Sequence, residues 1–396
     1  MHISNLRILP FLFAIIFDVS ASTPHQECIG PLSHLSSYDE WSPLREVVVG
    51  RVEGATVADE PFVMIQATIP ENQWEFFRRN AGQPFPQVQI DAAARELNEF
   101  VRILEAEGVT VRRPDHPGDL FRQAIETAEW KTKGGLYVAM PRDNLLAIGN
   151  KIIEAPMAWR SRYHEGIPYQ NLLQEYEKHR GVELIKSPRP KLADTNYVRG
   201  WKYSEDSEFR SVTNDDEPTF DAADFMRFGR DLVVQESHVT NAKGIRWLQD
   251  YLGKNFRIHT IQFNDNHPMH IDATIVPLRP GLVIINPERV PESLVRKLQS
   301  GLFKGWDFVK VPRPIIPDSH TLYMTSKWIN MNVLSLDEKR VMVEAQDEPM
   351  IKLFKDLGME PIKCPFRNFN TFGGSFHCAT LDVHRDGKLE QHLDAP

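Results

Sequence analysis

The feature that most constrains the fold is a pattern that occurs five times along the chain: an amphipathic helix, a glycine and a short apolar strand. In the first occurrence, Leu97, Phe100 and Leu104 recur at helical spacing, Gly108 ends the helix, and a Val-Thr-Val run follows. The other occurrences contain Gly181, Gly253, Gly305 and Gly358 at the same place. Helices that alternate with strands in this way predict an α/β fold built from repeated units.

The segments between these units are interpreted as β-hairpins, each with two apolar strands around a polar turn. The strand from Glu46 to Val52 could pair with the last hairpin and close a ring. The sequence therefore predicts a five-bladed, pseudo-symmetric α/β propeller of ββαβ modules, with 55–86 and 197–217 as loop-like lids or linkers. The alternative is an ordinary α/β protein in which the pattern recurs by chance. Hairpin turns are predicted at 141–144, 229–231, 279–281, 336–339 and 384–387.

Composition limits the possible partners. The chain has 396 residues and a net charge of −8, and no run of Lys and Arg could follow a phosphate backbone, so we expect no nucleic acid partner. An acidic balance is compatible with a cationic small-molecule substrate. The three cysteines, Cys28, Cys364 and Cys378, are an odd number in a long chain, so we expect no disulfide framework, which favours a reducing compartment and a cytoplasmic protein.

Residues 1–35 are interpreted as a leader. An apolar run at 8–17 follows Arg7 and precedes small residues, which is the outline of a signal peptide. The run is too short to span a membrane, so no stable membrane insertion is expected. Export is the alternative to a cytoplasmic location, and a mitochondrial transit sequence is a further one. We expect 36–396 to form a single catalytic domain.

Residues suited to covalent chemistry stand at matching places in the predicted hairpins. Asp221 and Asp224 begin one hairpin, His270 and Asp272 begin the next, and Cys378 lies in the last. Equivalent strand starts meet near the axis of a ring, and positions 270 and 272 of a strand would share a face. A thiolate, a proton shuttle and anions to hold a cation are what nucleophilic substitution at a trigonal carbon needs.

Each candidate also has a structural alternative. A free cysteine such as Cys378 is commonly a small buried apolar residue, although two preceding glycines and His377 could favour a reactive thiolate. His270 could be a structural histidine, or a metal ligand with His267 and Asp272, but no second cluster with ligand spacing supports a metal site. A papain-like protease would place its cysteine before its histidine.

At these residues the chain resembles the arginine-dependent amidinotransferases, the family of glycine amidinotransferase and inosamine-phosphate amidinotransferase. The match spans about residues 36–389 and implies the five-bladed propeller of the arginine deiminase class, no metal or organic cofactor, and a homodimer. The motifs that carry it are GVTVRRP at 108–114, MPRD at 140–143, GNKIIEAPMAWRSR at 149–162, FDAADF at 220–225, PMHIDAT at 268–274, SKW at 326–328, LDEKRVMV at 336–343 and FHCATLDV at 376–383.

The resemblance implies a role for each residue of the reaction centre. Cys378 looks like the nucleophile that takes the amidino group from arginine and releases ornithine. His270 looks like the general acid for departing ornithine and then the base for the incoming amine, and Asp221 is similar to the carboxylate that pairs with it. Asp143 and Asp272 match the acids that grip the guanidinium.

The resemblance also implies the substrate pocket. Arg289 matches the arginine that receives the α-carboxylate of the donor, and Ser326 matches one of two hydroxyl residues nearby. The glycine enzymes have two serines before Lys-Trp, whereas this chain has Thr325 and Ser326. In the wall of the acceptor pocket His267 replaces an Asn, while Met269 is retained. Glycine, which would give guanidinoacetate, is the first expected acceptor; lysine or another amine of a toxin or secondary-metabolite pathway is the second.

Two other functions stay open at this point. With water as the acceptor, the same residues would give arginine deiminase-type hydrolysis to citrulline. A catalytically silent arginine-binding protein would keep the pocket without turnover.

Overall fold

Five three-stranded sheets share one topology in the computed structural model, which describes residues 34–204 and 208–394. In each sheet the first strand is antiparallel to the second, and the second is parallel to the third. The strands, sheet by sheet, are Leu145–Ile148, Lys151–Glu154 and Glu183–Lys186; Phe225–Phe228, Asp231–Val234 and Arg257–Thr260; Ile275–Arg279, Leu282–Ile285 and Asp307–Lys310; Leu334–Ser335, Arg340–Glu344 and Glu360–Cys364; and Thr380–Arg385, Leu44–Val49 and Thr110–Arg112. A short hairpin pairs Ile125–Glu126 with Lys131–Thr132.

Parallel neighbours need a crossover between the second and third strands. In the last sheet this crossover also contains two shorter α-helices, but in each of the five sheets it contains one α-helix of at least eight residues. These helices are Gln87–Ala106, Gln170–His179, Ala242–Leu252, Glu292–Gln299 and Glu348–Asp356. The predicted helix–glycine–strand units are therefore all present. The other α-helices are Phe62–Thr68, Trp74–Asn80, Pro141–Asn144 and Arg367–Asn370; 3₁₀ turns occupy Glu71–Gln73, Leu120–Arg122, Ile167–Tyr169, Asp194–Asn196, Ala222–Asp224, Gly253–Asn255, Ile271–Ala273 and Lys327–Met331.

Two predicted turns are wrong. Pro141–Asn144 is a one-turn helix, and the chain reverses instead after Ile148, where Gly149 has a φ of 58°. No hairpin forms around 384–387, because Leu44–Val49 pairs with Thr380–Arg385 and takes the place of the second strand. This pairing is the one expected for the strand at 46–52.

The two long insertions differ from each other. The segment 55–86 is not loop-like, since it contains the helices Phe62–Thr68 and Trp74–Asn80. The described part of 197–217 contains only an isolated bridge between Tyr197 and Thr213. The leader predicted at 1–35 lies almost entirely outside the described residues. Within the described residues, no helix is both long and apolar enough to cross a bilayer.

The longest helix, Gln87–Ala106, buries the apolar stripe that the sequence predicts. Leu97, Phe100 and Leu104 are fully buried. The ring of Phe100 packs edge-on against Phe366 and Phe376, with centroid distances of 5.1 and 5.3 Å. Phe376 lies two residues before Cys378, so this helix supports the turn that carries the candidate nucleophile.

The helix Glu348–Asp356 shows why a glycine follows each helix. The N–H of Met359 donates to the carbonyl of Phe354 at 2.9 Å, and the N–H of Gly358 donates to Lys355 at 3.0 Å. This Schellman motif needs a residue with positive φ, and Gly358 has a φ of 72°. A methyl group there would meet no atom within 4 Å, so only the backbone conformation demands glycine.

We therefore expect Gly358→Ala to lower the free energy of unfolding by ~1–2 kcal/mol through left-handed backbone strain. Gly358→Asn should lower the free energy of unfolding less, because Asn adopts this backbone conformation more readily than Ala does. Urea unfolding followed by circular dichroism measures both. Equal losses for the two variants would show that backbone strain is not the cause.

Candidate active site

A short helical turn precedes the first strand of four of the five sheets in the described part of the chain, and a hydrogen-bonded turn at 376–379 precedes that of the last; these turns and the residues that flank them carry the polar residues of the site. The residues come from similar places in different sheets, as expected for equivalent strand starts. They lie before the strands, however, and the expectation that 270 and 272 share a strand face is wrong, because Ile271–Ala273 is a 3₁₀ turn. These segments contribute Asp143, Asp221, His270 with Asp272, Asn332 and Cys378.

Cys378 is buried, with 2% of its surface exposed, and its sulfur lies among polar groups. The Sγ donates to Oδ2 of Asp272 at 3.3 Å and accepts from Nδ2 of Asn332 at 3.1 Å. The amide oxygen of Asn332 accepts the backbone N–H groups of Cys378 and Ser375, both at 3.1 Å. Asn332 therefore fixes both the turn and the thiol.

His270 stands between two carboxylates. Its Nε2 lies 3.0 Å from Oδ2 of Asp221, and its Nδ1 lies 3.7 Å from Oδ1 of Asp143. Burial alone would lower the pKa of His270, but Asp143 and Asp221 raise this pKa well above its usual value. The imidazole is therefore charged at neutral pH. Its φ of 60° is unusual for a residue other than glycine and is consistent with a functional position.

The thiol is protonated in the free protein. Burial and the nearby Asp272 raise the pKa of Cys378 to about 12, although a hydrogen bond from His270 acts in the opposite direction. His377 does not assist the thiol as expected, because its Nδ1 pairs with Oδ2 of Asp272 at 2.8 Å and its Nε2 lies 3.3 Å from Glu40. A cation placed beside Asp272 would offset the charge that opposes the thiolate.

Two carboxylates of the site keep unused acceptor capacity. Arg162, which is buried, donates to Oδ2 of Asp143 at 2.9 Å and makes a bidentate pair with Glu165 at 2.5 and 2.6 Å. Oδ1 of Asp143 and Oδ1 of Asp221 find no hydrogen-bond partner among the described residues. Buried oxygens of this kind are ready to accept the N–H groups of a cationic ligand.

Five of the residues predicted for substrate recognition line a cavity of about 240 Å³. Arg289 lines it and is held there by Asp265, at 2.9 Å from its Nε, and by Thr274. Cys378 does not line this cavity, but Met269 does and directly precedes His270. The segment 66–71 forms another wall, so the insertion at 55–86 belongs to the site. Asp143 and Asp272 are not in the lining. The lining contains the other residues predicted for donor and acceptor recognition: Arg289, Thr325, Ser326, His267 and Met269.

Two residues of this cavity have structural contacts as well. His267 stacks on the ring of Tyr203 with centroids 4.5 Å apart, and its Nε2 lies 3.1 Å from the carbonyl of Ser204. Ser326 caps the 3₁₀ turn Lys327–Met331 by accepting the N–H of Trp328 at 3.3 Å. His267 thus joins the insertion at 197–217 to the cavity.

Sequence reasoning missed Asn332 and the pair of Arg162 and Glu165. The repeat could have indicated Asn332, which stands two residues before a first strand, as Asp143 and Cys378 do at their strands. The spacing of Arg162 and Glu165 suits an ion pair, but nothing local shows that the pair supports Asp143. Asp224, singled out with Asp221, is a structural residue, because Ser237, Thr240 and Gln235 donate to its two oxygens.

The metal site considered as an alternative from the sequence comprised His267, His270 and Asp272. Among the described residues, Asp143, His270 and Cys378 offer ligand atoms that lie within 4.8 Å of one another. His267 is not part of this group.

Comparison with known proteins gives close relatives along nearly the whole chain. An L-arginine:L-lysine amidinotransferase of Pseudomonas savastanoi pv. phaseolicola is 54% identical over 362 residues, which cover 91% of this chain and 97% of the relative. The mitochondrial glycine amidinotransferase of Danio rerio is 44% identical over 365 residues, 90% of this chain and 84% of that protein. The chain belongs to the amidinotransferase family. No family model matches it.

Solved amidinotransferase structures agree with this assignment. SxtG of Microseira wollei, from the saxitoxin biosynthetic pathway, has a TM-score of 0.84 and 44% identity, with 90% of this chain and 99% of that one covered. The inosamine-phosphate amidinotransferase of Streptomyces griseus has a TM-score of 0.80 and 34% identity, and the match covers 91% of this chain and 99% of that one. A dimethylarginine dimethylaminohydrolase, at a TM-score of 0.51 and 14% identity over 85% and 99%, shares the mixed α/β pentein fold.

The charges around the thiol predict opposite effects of two substitutions. Asp272→Asn removes an anion that disfavours the thiolate, so the pKa of Cys378 should fall by about one unit or more. His270→Asn removes a cation that favours the thiolate, so the pKa should rise. Thiolate absorbance followed against pH measures both. Shifts in the same direction would contradict this assignment of charges.

Proposed function

We propose that this amidinotransferase moves the amidino group of L-arginine, through an amidino-cysteine at Cys378, to an acceptor amine and releases L-ornithine. The observation that carries the proposal is a buried thiol beside Asp272 and close to Asp143, whose Oδ1 lacks a hydrogen-bond partner among the described residues. A planar cation with several N–H groups can donate hydrogen bonds to both carboxylates and neutralise their charge.

Arginine fits the arrangement in one orientation. Its guanidinium would lie between Asp143 and Asp272, with the carbon facing the sulfur of Cys378. Its α-carboxylate would pair with Arg289 in the cavity of about 240 Å³. The positive charge of the substrate would offset the two carboxylates and favour the thiolate, so that the nucleophile is activated when the donor binds.

The chemistry follows from the positions of Cys378 and His270. The thiolate attacks the guanidinium carbon, the bond from this carbon to the side-chain nitrogen of ornithine breaks, and His270 gives that nitrogen a proton. The acceptor amine then attacks the amidino carbon and loses a proton to His270, and the C–S bond breaks to restore the thiolate. His270 is neutral between the two steps, and Asp221 orients the imidazole and stabilises its charged form before the first proton transfer and after the second.

We propose lysine as the acceptor, and glycine as the second candidate. Ornithine leaves before the acceptor enters, and lysine is ornithine with one more methylene, so Arg289 can receive the carboxylate of both. The relative at 54% identity carries lysine in its name. Glycine, the first expectation from the sequence, is supported by Met269 and by the relative at 44% identity.

The arrangement of the sheets and the assembly are part of the same proposal. Five sheets of one topology in the described residues, each with its turn before the first strand, support a five-bladed propeller with the site near its axis. A homodimer is proposed from the family resemblance alone.

An acceptor assay tests the proposed function. The protein is incubated with arginine alone, with arginine and lysine, and with arginine and glycine, and ornithine, citrulline and guanidino products are quantified. We expect ornithine only when an amine is present, and homoarginine faster than guanidinoacetate. Citrulline in the sample with arginine alone would favour hydrolysis, and faster guanidinoacetate would reverse the choice of acceptor.

Cys378→Ala should lower transfer by at least about 10⁴-fold, because it removes the thiol that contacts Asp272 and lies close to Asp143 and His270. Cys364→Ala is the matched control, since Cys364 is the other free thiol among the described residues and lies in the core. This control should retain turnover. Transfer by the Cys378→Ala protein would exclude the covalent route.

A further inference from the structure

A second cavity, of about 400 Å³, shares no lining residue with the one that contains Arg289. Its volume lies within the range of about 300–1,000 Å³ that is common for small-molecule sites. It lies beside the one-turn helix Pro141–Asn144, which carries Asp143, and is otherwise lined by residues between 154 and 190. The proposed function makes no use of it.

Two buried polar atoms in the lining have no hydrogen-bond partner among the described residues. One is a donor, Nε1 of Trp159, a residue with 2% of its surface exposed. The other is an acceptor, Oδ1 of Asn144. Nδ2 of the same amide donates to the sulfur of Met157 at 3.4 Å, which fixes the orientation of the side chain. Unpartnered buried groups cost about 1–3 kcal/mol each, so a ligand that satisfies both would be stabilised.

The charged groups of the lining have both signs. Lys186 and Arg189 are cationic, and Arg189 is held in place by stacking at 3.4 Å over the ring of Tyr163. Glu154 is the acid, and burial raises its pKa although Lys186 and Arg189 act against the shift. His164 also lines the cavity, and burial and Arg189 lower its pKa, so it is neutral at pH 7.

Arg162 is the remaining cation of the lining, but its charge is already neutralised by carboxylates of the chain. It pairs with Glu165 and with Asp143, as described above. A ligand anion could interact with Nε1 of Trp159, Lys186 and Arg189, and a ligand cation with Oδ1 of Asn144 and Glu154. Arg189 also donates to the carbonyl of Tyr163.

We infer that this cavity is a second ligand site that binds a free α-amino acid as its zwitterion. The carboxylate would accept from Nε1 of Trp159 and pair with Lys186 or Arg189. The ammonium would donate to Oδ1 of Asn144 and to Glu154. The site differs from the donor and acceptor pocket, and its occupancy does not depend on the proposed reaction.

Calorimetric titration of the Arg289→Ala protein tests this site, because that substitution removes the carboxylate receptor of the catalytic cavity. The probes are L-alanine, L-lysine and L-ornithine, with acetate and inorganic phosphate for comparison. We expect saturable binding of at least one amino acid at one site per chain, and weaker or no binding of the two anions. No binding of any amino acid, or binding of the anions as tight as that of the amino acids, would overturn the inference.

Two further substitutions locate the binding. In the Arg289→Ala background, Lys186→Gln and Trp159→Phe should each weaken amino acid binding about tenfold, as expected for the loss of a charge-assisted or buried hydrogen bond. Lys186 is exposed, so its replacement keeps the test valid if Trp159→Phe impairs folding. Lys178→Gln, on an exposed helix face outside the cavity, is the matched control. Unchanged affinity in the Lys186→Gln protein would place the ligand elsewhere.

Discussion

The structure depends on the burial of carboxylates around one thiol. Asp143, Asp221 and Asp272 are at most 2% exposed, and a buried carboxylate without compensation is costly. Each is therefore held by a cation from elsewhere in the chain: Arg162 for Asp143, His270 for Asp221 and His377 for Asp272.

The compensation continues beyond the site. His377 contacts Glu40, whose pKa is well below its usual range because Arg227 and Arg142 outweigh the effect of burial. Arg227 and Arg142 also pair with Asp382 on the first strand of the last sheet. Strands, turns and the segment before Leu44 must all be in place before these charges are neutralised. The site can therefore reach its charge balance only in the folded chain. Removal of one partner of a buried pair should lower the free energy of unfolding far more than removal of an exposed ion pair.

The repeated units could be predicted from the sequence, because helical periodicity followed by glycine is a local signal. The prediction of a hairpin turn at 141–144 failed for a local reason as well, because Pro, Asp and Asn favour turns, but here they form a one-turn helix that presents Asp143. Asn332 was missed because an amide neither titrates nor attacks, so residue chemistry alone does not single it out. The second cavity has no signature in sequence, since its polar groups come together only through tertiary packing.

The central claim is that Cys378 carries the amidino group between donor and acceptor. Intact-protein and peptide mass spectrometry after rapid acid quench, with arginine and no acceptor amine, tests it most directly. We expect the mass of one amidino group on the peptide that contains Cys378, formed together with ornithine and lost when lysine is added before the quench. Ornithine production with an unmodified Cys378 at every time point would contradict the account.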